Sequence, residues 1–295
     1  MPTYPFAKPP LSPCDLVALM QSRGLVVPDS KRAERHIATV GYYRLMGYGK
    51  HFFDSTIQRF NAGTTYDHIW ETYKFDRKLR LLTLDAIERI EVAMRTAMSN
   101  TMCMAHGSHW FMNPLVFKLS SGMDSFCSAL RKELPIKQNE ITKHYYSKYD
   151  APDLPPSWMV MECISMGTWV KALGNMKQTE QKRIADAMKM NPKSFVSWAS
   201  SLTWARNVCA HHGVLWNRTN MRPPKTPLPA MRYPSIEGKE SSYFAVAVIA
   251  YGLLKLIVTR STWANRLEAL FADFPLVNPA DMGFEPNWKK DIFWT

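Results

Sequence analysis

The sequence predicts an all-α fold, and three observations support this prediction. The 295 residues contain 18 methionines but only 13 glycines, a balance that favours helices over a turn-rich β architecture. Residues 65–101 contain neither proline nor glycine, which leaves room for one long helix. No run of alternating apolar and polar residues is long enough to predict a sheet.

Capping signals define the first two helices. Ser12 is an N-cap residue followed directly by proline, so a helix is predicted over 14–23. The Asp-Ser pair at 29–30 caps a second predicted helix, which should end near Gly41. Glycines and aromatic residues are then interspersed through 41–49, and the glycines argue against a rigid helix there.

The segment 65–101 predicts the central helix. Its apolar residues, from Ile69 to Met94, recur mostly every three or four positions and so share one helical face. Further helices are predicted over 124–134, 138–148, 157–176, 179–190, 192–211, 241–260 and 262–274. Residues 222–229 contain four prolines, so this stretch is predicted to be an extended loop.

The chain is predicted to form a single helical domain over 1–295. Its length gives a prior of about two domains, but no internal repeat and no clear linker divides it. Within this domain we expect an N-terminal helical part at about 1–60 and a core at about 65–275, with further helices at both ends.

Several classes of protein are disfavoured. The longest apolar stretch, 244–258, is interrupted by Lys255 and is shorter than the roughly 20 residues of a membrane span, so it predicts a buried helix. The N-terminal prolines do not fit a secretory signal. The five cysteines include no C-x-x-C pair, and Cys103, His106 and His109 lack a fourth ligand. The sequence therefore predicts a cytoplasmic protein without a metal or cofactor.

The positive charge is concentrated in one interval. The formal net charge is +12, which favours a polyanionic partner. No Asp or Glu occurs between Asp186 and Glu237, an interval that also holds His211 and His212. The seven cations in it are Lys189, Lys193, Arg206, Arg218, Arg222, Lys225 and Arg232. Since a solvated helix surface normally mixes both signs, the interval predicts a surface that meets phosphates.

One constellation inside this interval has the residue types for phosphodiester cleavage. Asn207 and His211 are four residues apart at the predicted end of a helix and therefore share a face. Arg206 lies about 140° round the helix from His211 and reaches the same place only through its long side chain. Cleavage needs a group that titrates near neutrality and a permanent cation for the developing charge. Arg44 and His51 form a similar pair, which we interpret as structural.

A family resemblance covers nearly the whole chain. Its motifs occur in the expected order and are Gly41-Tyr42-Tyr43-Arg44-Leu45 with Gly47-Tyr48, Phe75-Asp76-Arg77-Lys78-Leu79-Arg80, Ile87-Glu88-Arg89-Ile90-Glu91 with Arg95, Pro156-Ser157-Trp158, Arg206-Asn207-Val208-Cys209-Ala210-His211, Leu215-Trp216-Asn217-Arg218, and Met282-Gly283-Phe284 with Trp288. With these motifs the chain resembles the Abi-like (AbiD/AbiF-type) abortive infection proteins of the HEPN superfamily.

The resemblance implies an α-helical HEPN-type bundle and a metal-independent endoribonuclease that leaves a 2′,3′-cyclic phosphate. Arg206 would stabilise the phosphorane, His211 would be the acid/base, and Asn207 would orient the phosphate or the imidazole. It further implies a toxin or effector of antiphage defence. Because HEPN sites are commonly built from two motifs, it also implies that two chains pair as a homodimer. The expected partners are RNA, as substrate or regulator, and an antitoxin.

Several alternatives stay open at this point. His212 also satisfies the spacing from Arg206, and Asn207 with His211 could simply cap a helix. Glu88 and Glu91 are additional site candidates, although such charges more often form i,i+4 pairs. The residues predicted to bind RNA are Lys193, Arg218, Arg222, Lys225 and Arg44, and Trp204 and Trp216 are predicted to be core. The alternative function is a non-cleaving RNA-binding scaffold that holds a structured or antitoxin RNA.

Overall fold

The computed structural model confirms the all-α prediction. It describes residues 5, 7, 9–136, 140–225 and 233–295, with backbone only at 135 and 136, and twelve α-helices lie in these ranges. They are α1 (Pro13–Ser22), α2 (Ser30–Val40), α3 (Tyr42–Gly49), α4 (Tyr66–His106), α5 (Ser120–Ile136), α6 (Glu140–Lys148), α7 (Ser157–Cys163), α8 (Met166–Asn175), α9 (Gln178–Ala187), α10 (Pro192–Ala210), α11 (Tyr243–Ile257) and α12 (Trp263–Asp273).

The chain forms two compact units. Unit 1 comprises Met1–Leu79 with Ala269–Asn278, and unit 2 comprises Arg80–Glu268 with Pro279–Thr295. Unit 1 is thus longer than the N-terminal part expected at about 1–60, and it also includes a short segment from the C-terminal part of the chain. That segment belongs to unit 1 because Phe75 packs on Phe271, with ring centroids 5.5 Å apart. The organisation of 1–295 as a single domain stays a prediction.

The caps of unit 1 form as the sequence predicts. Ser12 and Asp15 make a reciprocal capping box at the start of α1, which satisfies backbone N–H groups that the helix leaves without partners. The Asp29 side chain caps α2 by accepting a hydrogen bond from the Arg32 N–H at 2.9 Å. Gly41 ends α2 with a φ of +92°, a conformation that favours glycine.

The interpretation of residues 41–49 is wrong, because the structure has a helix, α3, at Tyr42–Gly49. A side chain at Gly49 would collide with Met46 and press on Ile69 of α4, so the glycine permits close helix packing. This packing outweighs the helix-propensity cost of glycine, about 1 kcal/mol. Tyr48 is fully buried, and its hydroxyl donates to Asp76 Oδ2 at 2.7 Å.

Two smaller differences have local causes. The single helix predicted over 157–176 is divided into α7 and α8, because Ser165 leaves the helical conformation and caps α8 by accepting from the Thr168 N–H. A two-stranded antiparallel sheet, β1 (Phe53–Asp54) and β2 (Arg59–Phe60), was not predicted. Two residues per strand are too few for an alternating pattern to be visible.

The core of unit 2 is built round α10 and α11. Helix α11 is buried on all sides from Tyr243 to Leu254, which confirms the predicted buried helix. Helix α10 packs against α8, α9 and α11. Among the described residues, no helix combines the length and the apolar character needed to cross a membrane.

Unit 1 contains a histidine whose titration affects stability. His36 stacks on Trp70 with ring centroids 3.5 Å apart. Burial lowers the pKa of His36 below its usual value near 6.5, and the positive charges of Arg32, Arg35 and Lys74 lower it further, whereas the nearby Asp29 raises it.

We expect unit 1 to become less stable as the pH falls below about 6.5. In that window the unfolded chain binds a proton at His36 that the folded chain excludes, so lower pH favours unfolding. Urea unfolding of the wild type and of His36→Gln at pH 7.5 and pH 5.5 measures the effect. The free energy of unfolding should depend less on pH in the variant, and equal dependence in both proteins would contradict the assignment.

Candidate functional site

The C-terminus of α10 has a defined turn. The backbone N–H of His211 donates to Asn207 O at 3.0 Å, so the helical ladder continues to His211. His212 then adopts a left-handed conformation with φ +56°, and the Gly213 N–H donates back to Val208 O at 2.8 Å. This is the Schellman arrangement, with histidine at the position that usually holds glycine. A left-handed non-glycine residue costs on the order of 1 kcal/mol, and strain of this kind is often found at functional sites.

The turn separates the two histidines. Because His211 is still within the helical ladder, its side chain projects from the same face as Asn207. His212 leaves that face because its left-handed backbone redirects the chain. Arg206 is half-buried, and its Nη1–H donates to Asn207 Oδ1 at 3.4 Å, a long hydrogen bond. The Arg206 side chain therefore contacts the side chain of its neighbour Asn207. His211 lies one helical turn beyond Asn207.

Arg80 supports the turn from α4, and sequence reasoning missed this role. Its side chain is only 6% exposed, and Nη1–H donates to Gly213 O at 3.3 Å. The contact joins residues 133 positions apart in the chain, which no local pattern reveals. Arg80 is part of the Phe75–Arg80 motif quoted above, and the available signal was an arginine among the apolar residues of a long helix.

We expect Arg80→Met to lower the free energy of unfolding by about 1–3 kcal/mol, because a nearly buried guanidinium and its charged hydrogen bond to Gly213 O are lost. Urea unfolding measures this loss. Arg77→Met is the matched control, since Arg77 is exposed on the same helix and its replacement should change the free energy by less than about 0.5 kcal/mol. Equal effects of the two substitutions would show that the Arg80 contact does not support the turn.

Arg218 lies over the indole of Trp204 on α10. Its guanidinium carbon is 4.9 Å from the ring centroid, Nη1–H donates to Val214 O at 3.0 Å, and Nε–H donates to Asn220 Oδ1 at 3.0 Å. Trp216 is buried, as predicted, but Trp204 is only half-buried. The prediction that Trp204 is core therefore holds only in part, because its ring is half-buried and makes a cation–π contact with Arg218.

Comparison with protein families identifies the chain. The family model described as Abi-like protein matches residues 35–217, which is more than half of the 295 residues. The chain belongs to the Abi-like protein family. Searches among curated proteins and among solved structures find no match. The matched range of this Abi-like protein includes Arg80 and the whole segment from Arg206 to the turn at Gly213.

The remaining cations of the Abi-like protein lie along α10, away from His211. The Lys225 N–H donates to Ser197 Oγ at 2.8 Å, and Trp198 Nε1–H donates to Lys225 O at 2.9 Å. Trp198 precedes His211 by 13 residues, which is about 20 Å of helix. Lys193, at the first turn of α10, is about 27 Å from His211 by the same measure.

The other predicted contact residues are dispersed. Arg222 is exposed in the segment that returns along α10 between Arg218 and Lys225, and Arg44 is exposed on α3 of unit 1. Within the described residues of this Abi-like protein, the cations of the acid-free interval thus form a basic track along α10 rather than one cluster. The prediction for Arg232 lies outside the described residues, as do residues 226–229 of the proline-rich loop.

Glu88 and Glu91 do not reach the turn. They follow Arg80 on α4 by 8 and 11 residues, which places them about 12 and 17 Å beyond it. Glu91 pairs with Arg95 in the i,i+4 arrangement, with both side chains about 15% exposed, and Arg95 Nη2–H also donates to Ile164 O at 2.8 Å. Glu88 is exposed. The structure therefore has Glu91 in a helical ion pair, which is the alternative interpretation given above.

The cations at the turn lack counter-charges. In the parts of the chain that the structure describes, no carboxylate lies within ion-pair distance of Arg206 or Arg218. Arginines that do have such a partner there include Arg32 (Asp67), Arg89 and Arg266 (Asp85), Arg95 (Glu91), Arg131 (Asp153) and Arg183 (Glu180). The end of α10 therefore presents positive charge that an external anion can neutralise.

The histidines near Cys103 have structural contacts. His106 Nε2 is 2.9 Å from Glu180 Oε2, and His109 Nε2 is 3.0 Å from Leu154 O. Burial alone would raise the pKa of Glu180, but the hydrogen bond from His106 and the charge of Arg183 lower it below its usual value. Across the described ranges, no group of three or more His, Cys, Asp or Glu side chains is arranged to hold a metal ion.

Proposed function

We propose that this Abi-like protein is a metal-independent endoribonuclease with a HEPN-type fold. The observation that carries the proposal is the arrangement at the end of α10, where the Arg206 guanidinium contacts the Asn207 amide and His211 projects one turn further from the same face. Asn207 and His211 are exposed, and Arg206 has no carboxylate partner among the described residues. A fixed cation and an exposed imidazole on one face suit the cleavage of a phosphodiester.

The reaction is a transesterification. The 2′-hydroxyl of the RNA attacks the adjacent phosphorus, the bond from phosphorus to the 5′-oxygen breaks, and the products are a 2′,3′-cyclic phosphate and a 5′-hydroxyl. His211 transfers a proton at the attacking or the leaving oxygen, and Arg206 stabilises the negative charge that develops on the non-bridging oxygens. Because Asn207 Oδ1 accepts from Arg206, its NH₂ group is directed to donate to the phosphate.

The site is proposed to be completed by a second chain. The reaction needs one group that removes the 2′ proton and one that protonates the 5′-oxygen, whereas the motif supplies one His211 per chain. A homodimer that brings two α10 ends together would provide both groups. We assign the proton transfer to His211 rather than to His212, because the left-handed backbone of His212 takes its side chain off the face that carries Asn207.

Membership of the Abi-like family supports a role in abortive infection. In this role the enzyme acts as a toxin or effector that cuts RNA in the cytoplasm of an infected cell, held inactive until then by an antitoxin of RNA or protein. The basic track along α10, with Arg218, Arg222 and Lys225, is the proposed path of the RNA.

The test is to incubate the purified protein with total RNA in EDTA and to map the new ends. New 2′,3′-cyclic phosphate and 5′-hydroxyl ends that are absent with His211→Ala are the expected result. RNA that is bound at low salt but stays intact would overturn the enzyme and favour the non-cleaving scaffold. Cleavage that requires a divalent metal ion would overturn the metal-independent mechanism.

A further inference from the structure

Trp204, Asn207 and His211 form one stripe along α10. They stand at positions i, i+3 and i+7, so their side chains lie within about 60° of one another round the helix. Trp204 and His211 are about 10 Å apart along the helix axis. The Arg218 guanidinium, which lies over Trp204 and donates to Val214 O, therefore borders the catalytic face, and the stripe is long enough to meet more than one phosphate of an RNA strand.

The Arg218 guanidinium is fixed in this position before any ligand binds. Its central carbon lies over the Trp204 ring, 4.9 Å from the centroid, and hydrogen bonds to Val214 O and Asn220 Oδ1 hold two of its nitrogen atoms. These two bonds use the Nε–H and one Nη1–H, and both N–H groups of Nη2 make no hydrogen bond to the residues that the structure describes. Guanidinium N–H groups in a fixed plane match the geometry of phosphate oxygens.

We infer that Arg218, held on Trp204, binds the phosphate of the nucleotide next to the cleaved bond in single-stranded RNA. This inference rests on the proposed function, because it takes the cleaved bond to be at His211. The guanidinium already covers the Trp204 ring, and its Nη2 donors make no hydrogen bond to the described residues, so a phosphate suits the site better than a stacked base. Arg218 would thus position the strand for cleavage without reading its sequence.

The experiment removes the charge either from the RNA phosphate or from Arg218. The substrate is a short single-stranded RNA with one cleavage site, made with a neutral methylphosphonate at the phosphate on either side of the cleaved bond. For the wild type, kcat/KM should fall about ten-fold or more at one of the two positions. Arg218→Leu should show the same fall on ordinary RNA and no further fall with that methylphosphonate, because the two changes remove one contact.

Control variants distinguish the loss of this contact from a general loss of positive charge. Arg260→Leu makes the same chemical change at an exposed arginine elsewhere in unit 2, and it should retain the methylphosphonate effect in full. Trp204→Leu should act in the same direction as Arg218→Leu, because the guanidinium loses its support. An Arg218→Leu protein that keeps the methylphosphonate effect, or that changes base preference instead, would overturn the inference.

A binding measurement distinguishes failure of the inference from failure of the proposed function. With a non-cleavable 2′-O-methyl RNA, methylphosphonates scanned along the strand should weaken wild-type binding most at one position, and Arg218→Leu should remove that dependence. This result would support the phosphate subsite even if no RNA is cut. The slope of log affinity against log salt should also decrease by about 0.7 in Arg218→Leu, the value for one phosphate contact on a single strand. Affinity, positional dependence and salt slope that all match the wild type would overturn the subsite.

Discussion

Replacing His211 by alanine is expected to reduce RNA cleavage about a thousand-fold, because the reaction loses its proton-transfer group. Replacing His212 by glycine should reduce it by less than about five-fold, since His212 is not assigned a proton. Glycine is the appropriate substitution at 212 because it adopts the left-handed backbone, φ +56°, without steric cost and keeps the turn intact. Initial rates on a single-site RNA, with quantitation of cyclic phosphate ends, measure both effects.

The stability of the two proteins controls for misfolding. His212→Gly should unfold at a slightly higher urea concentration than the wild type, because a strained left-handed histidine is removed. His211→Ala should unfold close to the wild type, since the His211 side chain is exposed. An inactive His212→Gly protein together with an active His211→Ala protein would transfer the acid/base role to His212.

Local signals in the sequence predicted most of the fold. The caps at Ser12 and Asp29 and the left-handed Gly41 define α1 and α2, because capping depends on neighbouring residues alone. Helix α3 was not predictable in this way, because the tolerance for Gly49 comes from close packing on Ile69. Tertiary contacts of this kind override local propensity. The same limit applies to the division of 157–176 at Ser165, whose N–H donates to Glu133 of α5.

The candidate site shows the same division between local and distant information. The pairing of Asn207 with His211 follows from helical spacing, and the structure places both on one exposed face. The support from Arg80 did not follow, because it comes from another helix. The dispersal of the basic residues along α10 could not be predicted from the sequence either. It depends on the path that the segment after the turn takes along this helix. A charge count along the sequence gives the number of cations but not their order on a surface.

Arg206→Ala is expected to reduce kcat about 100- to 1,000-fold, because the charge that develops on the phosphate loses its fixed counter-charge. KM and the affinity for a non-cleavable RNA should change little, since this interaction strengthens in the transition state. Arg206→Lys should be intermediate: lysine keeps the charge but cannot hold the phosphate and the Asn207 amide with one planar group. Asn207→Ala alone should cost less, and combined with Arg206→Ala it should add little, because the two side chains act through one contact. If Arg206→Ala instead raised KM and left kcat unchanged, Arg206 would bind the RNA in its ground state, and the transition-state role would have to be reassigned to another cation of the track.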